Sequence, residues 1–151
     1  MSLTAQRQPS PTKGTVLVVD DDAVSRRIAK EMLARLGYDS NEVSDGEEAL
    51  DALSHCEYCA VLMDCYMPKM NGFDATATLR KREGRTRHTP VIAMTVSGSS
   101  ETAHRCGAVG VDGFLIKPVG QGDLEELLDY WTSTRKGRWP GSSASCRRRE
   151  S

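Results

Sequence analysis

Long apolar runs are missing from this sequence. None reaches about 18 residues, and the N-terminus lacks the apolar stretch of a secretory signal. No membrane partner is therefore expected for this segment, and a cytoplasmic location is. A strong charge of one sign is missing too, since the net charge is −1 over 151 residues. That figure conceals an uneven spread. Residues 135–151 carry +5 and residues 1–14 carry +2, which leaves −8 on residues 15–134. An acidic body with a short basic tail is not the footprint of a nucleic-acid-binding domain, and such a tail is most simply solvated. No internal repeat is visible. One domain is expected at 15–134, with 1–14 a disordered leader or expression remnant and 135–151 a basic disordered tail.

A disulfide framework is also absent. The five cysteines (56, 59, 65, 106 and 146) are an odd number in a chain without a signal peptide, which reads as reduced thiols. The segment HCEYC, 55–59, holds one Cys-x-x-Cys. Zinc would need a second ligand pair, for which His104 and Cys106 are weak candidates. Haem attachment needs a histidine after the second cysteine. A redox pair would open a helix, whereas Cys59 leads into an apolar strand. Packing thiols remain as the reading. No GxxxxGK[ST] loop occurs, which argues against a nucleotide triphosphate site.

What is present is an alternation of short apolar runs with amphipathic segments. TVLVVD (15–20), YDSNEV (38–43), CAVLMD (59–64), TPVIAMT (89–95) and VDGFLIK (111–117) read as strands, the second polar enough for a sheet edge. Between and after them, 23–37, 45–56, 71–82, 99–108 and 122–134 read as helices. The first would bury Val24, Ile28, Met32, Leu33 and Leu36. The fourth, rich in Ser and Gly, is expected to form poorly. Five strands alternating with helices imply an α/β fold with a parallel sheet covered on both faces.

In such a sheet ligands bind beyond the carboxyl ends of the strands. Asp20, Asp21 and Asp22 end the first strand, Asp64 the third, Thr95 the fourth and Lys117-Pro118 the fifth. Carboxylates gathered there repel one another, and a hard divalent cation relieves that. Mg²⁺ suits the set because it takes a few carboxylate oxygens and keeps several waters. A carboxylate beside a lysine and a hydroxyl is a phosphoryl-accepting arrangement: the aspartate attacks phosphorus while cations neutralise the equatorial oxygens.

The segments VLVVDDDAVSRRI, VLMDCYMPKMNGF, PVIAMT and GFLIKP together resemble the receiver domain of two-component response regulators over about 15–132. MDCYMPKMNGFDATATLR is most similar to receivers of hybrid sensor histidine kinases. The resemblance implies a flavodoxin-like (βα)5 fold with strand order 2-1-3-4-5. It implies Asp64 as phosphoacceptor, Asp20 and Asp21 as Mg²⁺ ligands, and the main-chain carbonyl of Tyr66 as a further ligand. Thr95 and Lys117 match the hydroxyl and ammonium that meet the phosphoryl group, Lys117-Pro118 a cis peptide, and Phe114 the aromatic switch residue. The implied donor is a histidine kinase or a histidine phosphotransfer domain. The implied catalysis is confined to self-phosphorylation and self-dephosphorylation. A homodimer through the face of the fourth helix, fifth strand and fifth helix is also implied, with Tyr130 and Trp131 either in that contact or packing the last helix.

Simpler roles stand beside these. Asp22 reads as the N-cap of the first helix, Phe114 as a core residue, and RKREGRTRH (80–88) as a solvated loop. Two departures from the family pattern stand out. Val96 follows Thr95 where a small residue is usual, and would hinder small phosphodonors or the inward move of Thr95. Tyr66 stands two positions after Asp64, where it is expected to shield an acyl phosphate and slow its hydrolysis. Mg²⁺-dependent aspartyl-phosphate phosphatases carry a second aspartate at that position, so Tyr66 weakens this alternative. A phosphorylation-inactive scaffold is the other alternative.

Overall fold

The computed structural model describes residues 13–96 and 98–134. The expected leader, apart from Lys13 and Gly14, and the expected basic tail lie outside the described residues. Ten elements alternate along the chain. They are β1 (Thr15–Val19), α1 (Ala23–Leu36), β2 (Asp39–Val43), α2 (Gly46–His55), β3 (Ala60–Asp64), α3 (Gly72–Glu83), β4 (Val91–Thr95), α4 (Ser100–Val109), β5 (Gly113–Ile116) and α5 (Gln121–Thr134). The strands form one parallel sheet in the order β2-β1-β3-β4-β5, as expected. Lys13 and Gly14 already join the fold, the first donating its amide to the Gly37 carbonyl and the second accepting from the Asp39 amide. Among the described residues no helix is long and apolar enough to cross a membrane.

The alternation of side chains along each strand divides the core into two layers. Val16, Val18, Leu62, Ile92 and Met94 face Leu33 and Leu36 of α1 and Leu124 and Leu128 of α5. Leu17, Val19, Val61, Met63 and Val91 face Leu50 of α2 and Leu79 of α3. Both faces of β1, β3 and β4 are therefore apolar, which is why those segments read as unbroken hydrophobic runs. β2 lies at the edge and keeps Asp39 and Glu42 exposed.

Helix boundaries follow from side chains that satisfy the first free amides. Asp22, Asp45, Asn71 and Ser99 cap α1 to α4, each accepting from an amide three residues on. At α2 the Glu48 carboxylate also reaches back, accepting from the amide and hydroxyl of Ser44, the residue before the cap. α4 forms over ten residues despite its composition, closed by Ser99 at one end and by Gly110 in the left-handed region at the other.

One expectation about α1 is corrected. Val24 and Ile28 are 64% and 51% exposed, while Ala29, Leu33 and Leu36 are the residues that meet the sheet. Positions 28 and 29 differ by about 100° around the helix, and the stripe 29-33-36 won the core-facing side. The two displaced aliphatics are left on the surface.

At the other edge of the sheet, Arg80 ties three elements together. Its guanidinium donates to the Gly110 and Thr89 carbonyls and to the Glu83 and Asp112 carboxylates at 2.7–3.0 Å. Part of the basic stretch 80–88 is thus structural and not merely solvated, since His88 also meets Asp112 at 2.8 Å.

Candidate functional site

β1 and β3 are neighbours in the sheet, and the chain leaves them toward opposite faces, which opens a crevice beyond their carboxyl ends. Asp20, the residue after β1, is buried, and its Oδ1 accepts from the Asp22 amide at 3.0 Å. Its main-chain carbonyl accepts from Arg26 at 2.8 Å, which fixes the turn from strand to helix. Asp64 closes β3 and is also buried, with Oδ1 accepting from the Tyr66 amide at 3.3 Å. Gly72 makes the close passage of α3 past this strand end feasible, because a Cβ there would collide with the Asp64 carbonyl and with Met63.

Carboxylate oxygens of Asp20, Asp21 and Asp64 lie within 4.8 Å of one another. Lys117 reaches into the same space, its Nζ 2.8 Å from Asp20 Oδ2 and 3.6 Å from Asp64 Oδ2. It follows β5 and precedes a cis peptide to Pro118, as expected. Its amide donates to the carbonyl of Thr95, the buried last residue of β4. The residues expected at the site from β1, β3, β4 and β5 thus gather at one edge of the sheet.

The electrostatics match that crowding. Burial, aided by the charges of Asp20 and Asp21, pushes the Asp64 carboxyl up to about 6 against the pull of Lys117. Burial alone would lower the Lys117 ammonium, but Asp20 and Asp64 outweigh it and hold it above its ordinary range. The cluster is thus short of positive charge. Three hard oxygen donors with no histidine or thiolate among them fit Mg²⁺.

Around the acids, Tyr66 is 47% exposed and is held from the side. Its ring meets Phe73 edge-on at 5.5 Å and its hydroxyl lies 3.0 Å from Thr102 Oγ1 of α4. Phe114 packs against the buried cluster of Cys65, Phe73, Ala93 and Cys106. Val96 is 76% exposed at the rim. Beside it lies a pocket of about 290 Å³, lined by Ile28, Met32, Met94, Val119 and, at its polar end, Asp20 and Lys117. The residues that sequence reading missed here are on α4: Thr102, Arg105 and Cys106. Nothing local in SSETAHRCGA marks them, because their partners lie more than 30 positions earlier in the chain.

Residues 16–129 match the family described as the Response regulator receiver domain. Hybrid signal transduction protein dokA of Dictyostelium discoideum is 34% identical over 142 residues, which is 94% of this chain and 8% of that protein. Sensor histidine kinase RcsC of Escherichia coli (strain K12) is 37% identical over 124 residues, 82% of this chain and 13% of that protein. This chain therefore spans only a small part of the length of the kinases it matches. A solved structure, the receiver domain of sensor histidine kinase PA1611 from Pseudomonas aeruginosa PAO1, has a magnesium ion coordinated in its active site cleft. It is similar at a TM-score of 0.73 and 32% identity, covering 80% of this chain and 98% of that one. Fold, site layout and these matches agree, and the chain belongs to the response regulator receiver domain family of two-component signalling.

Proposed function

We propose that this chain is a phosphorelay receiver that accepts a phosphoryl group from a phosphohistidine onto Asp64. The observation that carries the reading is the meeting of Asp20, Asp21, Asp64 and Lys117 at one sheet edge. An Asp64 carboxylate oxygen attacks phosphorus, the P–N bond breaks, and the imidazole nitrogen leaves with the electron pair. Mg²⁺, held by Asp20, Asp21, Asp64 and the main-chain carbonyl of Tyr66, would neutralise charge on the phosphoryl oxygens. Lys117 pairs with the new charge, and the Thr95 hydroxyl donates to it. Phe114, packed behind β4, follows Thr95 inward and alters the surface around α4 and β5. Residues 15–134 are the working unit, in the cytoplasm, and the output is a change in partner affinity.

The donor is a histidine kinase or a histidine phosphotransfer domain. Its docking surface is the apolar rim of the site, where Val24, Ile28 and Val96 stand exposed beside a pocket that ends on Lys117. Exposed Tyr130 on α5 marks the face proposed for a homodimer. A phosphatase is disfavoured because Tyr66 occupies the position of its acid/base carboxylate.

Intact mass after incubation with acetyl phosphate and Mg²⁺ tests the proposal. One phosphoryl group is expected, lost in Asp64→Asn and in EDTA. An adduct only with a phosphorylated histidine-containing partner would mean that Val96 excludes small donors. No adduct from either donor would leave a binding scaffold and overturn the reading.

A further inference from the structure

α4 is fastened to the end of β3 and the start of α3 by one of its faces. Thr102 meets the Tyr66 hydroxyl, the Arg105 guanidinium lies 4.0 Å over the Phe73 ring, and Cys106 Sγ stands 3.9 Å from Cys65 Sγ. Positions 102, 105 and 106 are spaced by three and four, so they share that face. Cys65 is the residue directly after β3, and Cys106 sits in the middle of α4. Both are buried free thiols.

A disulfide needs its sulfurs about 2.05 Å apart. From 3.9 Å, the approach is a little under 2 Å, shared between two short side chains and the helix that carries one of them. α4 is suited to yield that movement. Gly98 precedes it, Gly107 lies within it, and Gly110 ends it. Cys59 does not compete, because it belongs to the core layer beneath α1 and α5. Cys56, in the layer of α2 and α3, does not compete either, because it is itself disulfide-bonded, which corrects the expectation that every cysteine is a reduced thiol.

We propose that Cys65 and Cys106 form a reversible disulfide that locks α4 to the end of β3. Hydrogen peroxide is a sufficient oxidant. One sulfur attacks the O–O bond, forming S–O as the O–O bond breaks, and the departing hydroxide takes up the thiol proton as water. The second sulfur displaces hydroxide from the sulfenic acid, and with its own proton that hydroxide becomes a second water as the S–S bond forms. Two electrons and two protons have then passed from the thiols to the peroxide. A dithiol reverses the bond by exchange. Because both sulfurs are buried, oxidation waits on excursions of α4, so it is slower than at an exposed thiol. The bond closes a loop across 41 positions and removes from α4 its freedom to lift off the sheet. It does not depend on Asp64 being a phosphoacceptor.

The test uses the full chain, fully reduced and then treated with hydrogen peroxide without denaturant. Alkylation, digestion and non-reducing peptide mass spectrometry follow, alongside amide hydrogen exchange on the intact protein. The expected result is a linked Cys65–Cys106 peptide that disappears with dithiothreitol. Exchange in α4 is expected to slow by about tenfold or more in the oxidised form. Cys106→Ser should show neither change, and the comparison of oxidised with reduced wild type stands without that variant. Both cysteines recovered alkylated, or singly oxidised without the linked peptide, would overturn the proposal. So would a linked peptide that leaves α4 exchange unaltered.

Discussion

At the scale of single residues, Asp64 has a measurable signature apart from any phosphoryl chemistry. Its carboxyl is held near 6 against 3.8 when unfolded, so the folded chain binds that proton more tightly. The stability this contributes is complete below pH 3.8 and is lost as the pH rises through about 6. Above that, the buried carboxylate is a net cost. In EDTA, Asp64→Asn is therefore expected to stabilise the protein at about pH 8 by up to about 3 kcal/mol, with the gain fading to nothing near pH 4. Thermal unfolding of both proteins across that range reads it out, and a difference independent of pH would contradict it. Tyr66 offers a second test. Its ring is pinned between Phe73 and Thr102 next to the phosphoacceptor. Tyr66→Ala is expected to shorten the lifetime of the acyl phosphate by about 2- to 10-fold, roughly 0.4–1.4 kcal/mol of barrier. Tyr66→Phe keeps the ring and should retain most of that protection. Loss of label followed by intact mass decides, and a longer lifetime in Tyr66→Ala would dismiss the shield.

At the scale of elements, Arg80 is where one side chain holds several pieces in place. It bonds α3, the strand entry at Thr89 and the turn at Gly110, with Glu83 and Asp112 as largely buried counter-charges. Arg80→Ala would leave buried Glu83 without its cation and Asp112, among the described residues, with only His88, and is expected to cost about 3 kcal/mol, seen as a lower urea midpoint with an unchanged slope. Arg80→Lys should recover only part of it, because an ammonium cannot reproduce the planar fork. Nothing about this role is legible in RKREGRTRH, where arginine reads as solvated charge. The contrast with the rest of the fold is instructive. VLVVD and AVLMD announce buried parallel strands because both of their faces are apolar, and the acids that end them announce the site. Asp22 is legible as a cap because capping is local. The surfacing of Val24 and Ile28, the Tyr66–Thr102 bond and the Cys65–Cys106 contact were not legible. Each depends on which face of a helix wins the sheet, or on partners some 36 to 41 positions away.

At the scale of the whole molecule, the site and its apolar rim form one surface with two separable jobs. Ile28→Glu should slow phosphoryl transfer from a histidine-containing partner by about tenfold, the size of one good interface side chain, and leave labelling by acetyl phosphate untouched. Single-turnover transfer measured beside acetyl phosphate labelling would show it, and equal losses with both donors would argue against a docking role. A last consequence comes from β2. A five-stranded open sheet has two bare flanks, and a row of unpaired amides and carbonyls invites another chain to extend it. A module strung along a much longer polypeptide, as the relatives' lengths imply for them, meets its neighbours at high effective concentration. Glu42 is engaged by Arg26 and Lys30, but Asp39 stands exposed on that strand, so a second copy aligned there in register would bring like charges together. The sequence DSNEV is a poor strand former, and that weakness disfavours growth of the sheet along this flank.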